Sequence, residues 1–192
     1  SYSDPKKISA GGICGVAEPY SSMTTDVVIM DCAAHVNIEG DDTWVEALGG
    51  IAGTINSNTQ VVGCTTSGKI SVASAAIGMG GICGVLSGNL YDGDKGCRVQ
   101  ACTSLMHLEG RNNVGGIVGY IDDKNTENPG DALIDGCVFA GHINVTNGSN
   151  VGGILGGLNI NRQAIGIYVS GTSVGGLVGR MLLSFLTDCF SW

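Results

Sequence analysis

The chain has 192 residues, of which 33 are glycine while only 14% are charged and 5% aromatic, so a conventional globular interior would lack its large side chains. Nine basic residues against 17 acidic ones give a formal charge of -8, which argues against nucleic acid or an anionic membrane surface as partners, since both demand clustered Lys and Arg. Glycine shows no three-residue period and proline occurs only three times, so collagen and low-complexity disorder are excluded, and no apolar run reaches the ~18–20 residues of a membrane helix.

The chain opens with Ser1-Tyr2-Ser3-Asp4-Pro5, without a basic and apolar leader, and stops at Trp192 partway through a repeat, so it reads as a mature chain or a piece of a longer one. A six-residue pattern, apolar-Gly-Gly-apolar-apolar-Gly, begins at Ala10 and recurs at Leu48, Met79, Val114, Val151 and Val174. Cys14, Ala52 and Cys83 take the place of a larger apolar residue before the last glycine. The first glycines of successive copies lie 38, 31, 35, 37 and 23 residues apart, a range in which self-similarity means a solenoid or a propeller.

Between the glycine motifs an apolar residue is followed three positions later by Cys, as in Ile29 to Cys32, Val61 to Cys64, Val99 to Cys102, Ile134 to Cys137 and Leu186 to Cys189; the fifth repeat places Gln163 there. Each cysteine segment leads into a stretch of strict alternation: Val36 to Glu39, Gly68 to Ser71, Met106 to Glu109, Gly141 to Asn144 and Ile167 to Ser170. Alternation over four or five residues signals a half-buried strand, and no helical spacing persists long enough to compete. Each repeat therefore predicts three short strands separated by Gly, Asn, Asp and Ser turns. The expected fold is all-β: one parallel β-solenoid (β-helix) over residues 1–192, of about five to six coils, with Ile38, Ile70, Leu108, Ile143 and Val169 in one interior column. The extra length of the longer repeats falls mainly at 17–26, 86–97 and 120–131, which stacking would bring to one edge; a separate insertion, 40–47, carries Trp44 among Asp41, Asp42 and Glu46.

The paired glycines suit coil corners, which need backbone conformations that a Cβ disfavours and leave little room. Phosphate cradling is excluded, because neither the Gly-Lys-Ser/Thr ending of a P-loop nor a long following helix is present. The copies at Val114 to Gly119, Val151 to Gly156 and Val174 to Gly179, with Cys64 to Ile70 and Cys137 to Ile143 between glycine motifs, resemble the GLUG repeat of bacterial surface proteins; the first repeat matches most loosely. GLUG repeats occur in adhesin-like proteins and as accessory segments of immunoglobulin A metallopeptidases. The resemblance implies a secreted or surface-displayed bacterial β-solenoid, a fragment or domain of a longer surface protein, and no catalytic residue.

Five of the eight cysteines share one repeat position, so stacking places them in a column ~4.8 Å apart with parallel side chains, a direction that suits buried thiols better than disulfides. Cys14 and Cys83 would lie two strand spacings apart, and Cys97 with Cys102 is the one local pair left open. His107 and His142 occupy equivalent positions on a polar outward row that also holds Asn37, Lys69 and Tyr168; no third metal ligand accompanies them. The acids of the insertions match neither an EF-hand loop nor a calcium-binding nonapeptide, so neither a metal nor a cofactor is expected. Glu39 and Glu109 share a row two coils apart, roughly 9.6 Å, at the edge of the ~6.5–9.5 Å separation used by inverting glycosidases, but Ser71 intervenes and no cationic cluster accompanies them.

The resulting expectation is a non-catalytic adhesion module in which a rigid solenoid presents inserted loops to a host glycan or protein. Its contact residues would be Tyr20, Tyr91, Tyr120, Trp44, His107 and His142, and neighbouring domains would continue from the open solenoid ends. The alternatives are a spacer that binds nothing and a β-helix polysaccharide lyase or glycosidase.

Overall fold

In the computed structural model each turn of backbone is built from four strands. The structure describes residues 8–19, 26–40, 45–73, 77–87, 96–123, 132–160, 167–173 and 185–191, with 123, 159–160, 167–173 and 185–191 by backbone alone. Along the glycine side run β1 (Ile8–Gly11), β5 (Val45–Gly49), β9 (Gly78–Gly80) and the ends of β12 (Thr103–Gly115) and β15 (His142–Gly152). After the corner come β2 (Cys14–Ala17), β6 (Ala52–Ile55), β10 (Cys83–Ser87), β13 (Val118–Asp123) and β16 (Leu155–Ile160), which form a five-stranded parallel sheet. The cysteine side holds β3 (Val27–Met30), β7 (Thr59–Val62), β11 (Cys97–Gln100), β14 (Ala132–Phe139), β17 (Ile167–Ser173) and β18 (Phe185–Ser191). The long-strand side holds β4 (Ala33–Gly40), β8 (Thr65–Val72), β12 and β15.

All pairings are parallel, and the described residues contain no helix, so the chain is an all-β parallel β-solenoid. Its extent, about three turns, is smaller than the five to six coils expected: among the described residues the long-strand side has four strands and hence three stacking steps. Ile38, Ile70, Leu108 and Ile143 do stack in register, but Val169 does not join them. It pairs with Ile134 and Leu186 on the cysteine side, and Gly171, not Gln163, stands opposite Cys137 and Cys189. Tyr168 likewise sits opposite Leu133 rather than beside His142. The fifth repeat is short because this alternating segment serves as its cysteine-side strand.

Two local devices turn the chain. The residue before each of Cys32, Cys64, Cys102 and Cys137 is left-handed: Asp31 (φ 53°), Gly63 (φ 64°), Ala101 (φ 51°) and Gly136 (φ 59°). Glycine takes this conformation without Cβ strain, whereas at Ala101 the chain accepts it. A second left-handed corner precedes the glycine motif at Asn113 and Asn150, where Asn150 Nδ2 donates to Asn113 Oδ1 (2.8 Å) and Asn113 Nδ2 donates to the Ile77 carbonyl (2.7 Å).

The described glycine pairs do not have positive φ, which corrects half of the expected reason for them. Close approach is the whole reason. A Cβ on the first glycine (Gly11, Gly49, Gly80 or Gly115) would run into the carbonyl oxygen three residues ahead. One on the second glycine would strike both the next coil's backbone and the opposite wall: Gly12 faces Val36, Gly50 faces Thr66, Gly81 faces Ser104 and Gly116 faces Phe139. Thr66 Oγ1 crosses this waist to donate to the Gly81 carbonyl (2.7 Å), so a buried hydroxyl is satisfied there.

The waist divides the interior into two columns. The larger holds Ile51, Ile82, Ile117 and Ile154, the corner isoleucines, with Val61, Val99, Ile134 and the thiols. The smaller lies between the long strands and the glycine side and contains Leu48, Ile70, Met79, Met106, Leu108 and Val114. Burying each such side chain is worth ~1.5–3 kcal/mol. At the first coil the same positions lack a neighbour on one side: Ile13 is 49% exposed, where Ile51, Ile82, Ile117 and Ile154 are 0%.

Candidate functional site

The outward surface of the long-strand side gathers the polar groups of β4, β8, β12 and β15 into transverse rows. Parallel register sets Asn37, Lys69, His107 and His142 in one row, and Glu39, Ser71, Glu109 and Asn144 in the next. Period-two alternation produces this arrangement, since residues two apart on a strand share a face. The His107 and His142 rings stack with centroids 4.9 Å apart and planes inclined at 34°.

Glu109 ties the two rows together. Its Oε1 lies 2.9 Å from His107 Nε2, and its Oε2 accepts from Ser71 Oγ at 2.9 Å and pairs with Lys69 Nζ at 2.8 Å. The Lys69 contact first, then those of Ser71 and His107, holds the Glu109 carboxyl down at about 2. With 32% of its side chain still accessible, this network orients the face more than it stabilises the fold. His35 adds a third imidazole to the side, with Nδ1 3.0 Å from Ser67 Oγ.

Along one border of this face runs a groove of ≈ 380 Å³ lined by Ser71, Glu109, Arg111, Asn144, Thr146 and Asn147 among others. A second depression, bordered by Glu39, Gly40, Ser71 and Ala73, adjoins it. Register alone could have placed the His and Glu rows. The groove depends on the bulge between Gly110 and Asn112, where β12 and β15 change register, and alternation carries no sign of it.

Tyr120 lies on the outward row of the five-stranded sheet between Val85 and Gly157 in register, and it is partly buried. Thus the structure brings His107 and His142 together and sets Tyr120 on another side. Tyr20, Trp44 and Tyr91 lie outside the described residues. The attachment points of the three insertions are described: Ala17, Ile55, Leu86 and Ile121 are in register where the strands end, and Val27 with Thr59, and Cys97 with Ala132, where they resume. The second coil instead makes a tight turn at Asn56, Ser57 and Asn58, all buried, with Asn58 left-handed (φ 58°) and Asn56 Nδ2 donating to Glu18 Oε2 at 2.6 Å.

Within the solenoid the seven described cysteines are all unbridged. Cys64, Cys102 and Cys137 donate to carbonyls two residues back (3.4, 3.2 and 3.4 Å) and to the preceding coil's Ile29, Val61 and Val99 carbonyls (3.7, 3.6 and 3.5 Å). Burial pushes Cys64 up to about 11 and Cys83 well above the ordinary thiol range, while the contact with Cys137, followed by burial, raises Cys102. Thiols held as donors in this way are poor nucleophiles and poor metal ligands. Cys97 donates to the Ser87 carbonyl at 3.1 Å rather than bridging to Cys102. Among the described residues no group of three or more His, Cys, Asp or Glu is placed to hold a metal, and no helix is long and apolar enough to cross a membrane.

Fold and site together define a parallel β-solenoid whose ordered chemistry is a cross-coil polar face. The chain matches no family model, no curated protein and no solved structure.

Proposed function

We propose that this solenoid is a non-catalytic interaction module of the GLUG-repeat type, secreted or displayed on a bacterial surface, which holds inserted segments against a host glycan or protein. The observation that supports this reading is the stacking of the insertion anchors. Segments 18–26, 88–96 and 124–131 leave and rejoin the solenoid at matching register positions, with the tight turn of the second coil between the first two. Sequence-variable connections on a rigid scaffold are where binding groups commonly sit. Stacked coils also offer long edges to extended partners, and further domains could continue from the solenoid ends.

The glycosidase alternative draws no support from Glu39 and Glu109. Glu109 is engaged by Lys69, Ser71 and His107, and a carboxyl held at about 2 is a poor proton donor near neutrality. Binding to a glycan and host-protein array distinguishes an adhesion module from a passive spacer. The wild type should bind at least one class of ligand, and a variant with all three insertions shortened should lose it. Equal failure of both proteins would refute the adhesion reading.

A further inference from the structure

All three histidines of the chain, His35, His107 and His142, lie on the outward long-strand side, together with Lys69 and Arg111. The charged groups facing them from β4, β8 and β12 are Glu39, Lys69, Glu109 and Arg111, and β15 adds no acid. Among the described residues two fixed cations therefore balance two carboxylates on this side of a protein whose overall formal charge is -8. Three protonated imidazoles would add three positive charges to these described groups.

That charge is unevenly satisfied. Glu109 already serves Lys69 and His107, whereas among the described residues His142 has only its ring contact with His107, and the exposed Arg111 guanidinium has no ion pair or hydrogen bond. Arg111, Asn144 and Asn147 line the same groove, and His142 lies two residues before Asn144 on the same face of β15. Stacked imidazolium rings repel one another, and an anion beside His142 would relieve this repulsion.

We propose that the long-strand side binds a carboxylated glycan, with one carboxylate on Arg111 in the groove and the chain continuing across the His107 and His142 rings, and that acidification strengthens this binding. A planar guanidinium matches a carboxylate in two-point geometry. The amides of Asn144 and Asn147 and the hydroxyl of Thr146 suit sugar hydroxyls. A uronate polymer also carries only one charge per sugar, more sparsely than duplex DNA, so the acidity of the rest of the molecule opposes it less. Imidazoles change charge between about pH 5 and 8, while carboxylates stay ionised down to about pH 4, which defines the working window.

The site does not depend on the inserted segments. The test is titration calorimetry of the whole chain with tetragalacturonate, its methyl ester and a poly-glutamate peptide at pH 5.5 and 7.5. The expected result is binding of the free acid at pH 5.5, weakened about tenfold or more at pH 7.5 and in Arg111→Gln or His142→Gln, and retained in Arg98→Gln and in the variant with shortened insertions. Circular dichroism of each variant verifies its fold. Absence of binding at pH 5.5, equal binding of the methyl ester or the peptide, or indifference to Arg111→Gln in a folded variant would overturn the proposal. Loss on shortening the insertions, with Arg111→Gln silent, would assign the ligand to the inserted edge instead.

Discussion

Gly116 and Phe139 meet across the inside of the solenoid so closely that a Cβ on Gly116 would stand 2.5 Å from Phe139 Cδ1 and nearer still to Cγ. Backbone also blocks the site, because the same Cβ would strike the Gly153 carbonyl of the next coil. Gly116→Ala should therefore cost about 3 kcal/mol, the upper end of ordinary overpacking. Phe139→Leu in the same chain should recover little of it, since Gly153 remains. Urea unfolding of the two variants gives the answer, and full rescue by Phe139→Leu would show that the side chain alone sets the limit.

The waist predicts that damage to one interior column spares the other. Leu108→Ala removes a fully buried side chain from the smaller column and should cost ~2–5 kcal/mol. Its register partners Ile70 and Ile143 should lose amide protection first, with Ile82 and Ile117 in the larger column less affected. Hydrogen exchange read residue by residue tests this, and uniform loss in both columns would show a single cooperative interior.

Ala101 is the alanine in a row of left-handed corners that elsewhere use Asp31, Gly63 and Gly136. A left-handed alanine costs roughly 1–2 kcal/mol in strain, and glycine loses ~0.5–1 kcal/mol in chain entropy, so Ala101→Gly should stabilise by up to about 1.5 kcal/mol. Gly63→Ala should destabilise, with added crowding against Asp31 Oδ1. A fall in the urea midpoint of Ala101→Gly would contradict the strain argument.

Glu109 offers a pH test. Its carboxyl is depressed in the folded state, so the stabilisation it provides is complete above the ordinary carboxylate value near 4.5 and is lost as pH falls towards about 2. Carbon-detected NMR titration should find its midpoint near 2 in the wild type and clearly higher in Lys69→Met. An unchanged midpoint in Lys69→Met would mean that Ser71 and His107 suffice to hold the anion.

The thiols provide a chemical test of burial. At pH 8 the buried thiols of the native protein should react slowly with a thiol reagent, because burial keeps Cys64 and Cys83 protonated, and the partly exposed Cys14 and Cys32 should react ahead of them. After denaturation without reductant, at least the seven unbridged cysteines described should titrate. Recovery of fewer would reveal bridges that the parallel side chains of the ladder do not favour.

Alternation was enough to align Ile38, Ile70, Leu108 and Ile143, and to set His107 beside His142, because a period of two assigns every residue to a face before any partner is known. The same rule could not place Val169. Ile167-Tyr168-Val169 has the pattern of either strand type, and only pairing with Ile134 and Leu186 decides which wall it joins. The repeated glycines were equally plain in the sequence, but their reason was tertiary: Gly81 and Gly116 are small because Ser104 and Phe139 approach from the opposite wall, and residues 23 apart in each case meet only when a turn closes. Arg111 and Asn144 became neighbours in one groove for the same reason, since the shift in pairing after Gly110 is a property of two coils in contact and belongs to neither strand alone.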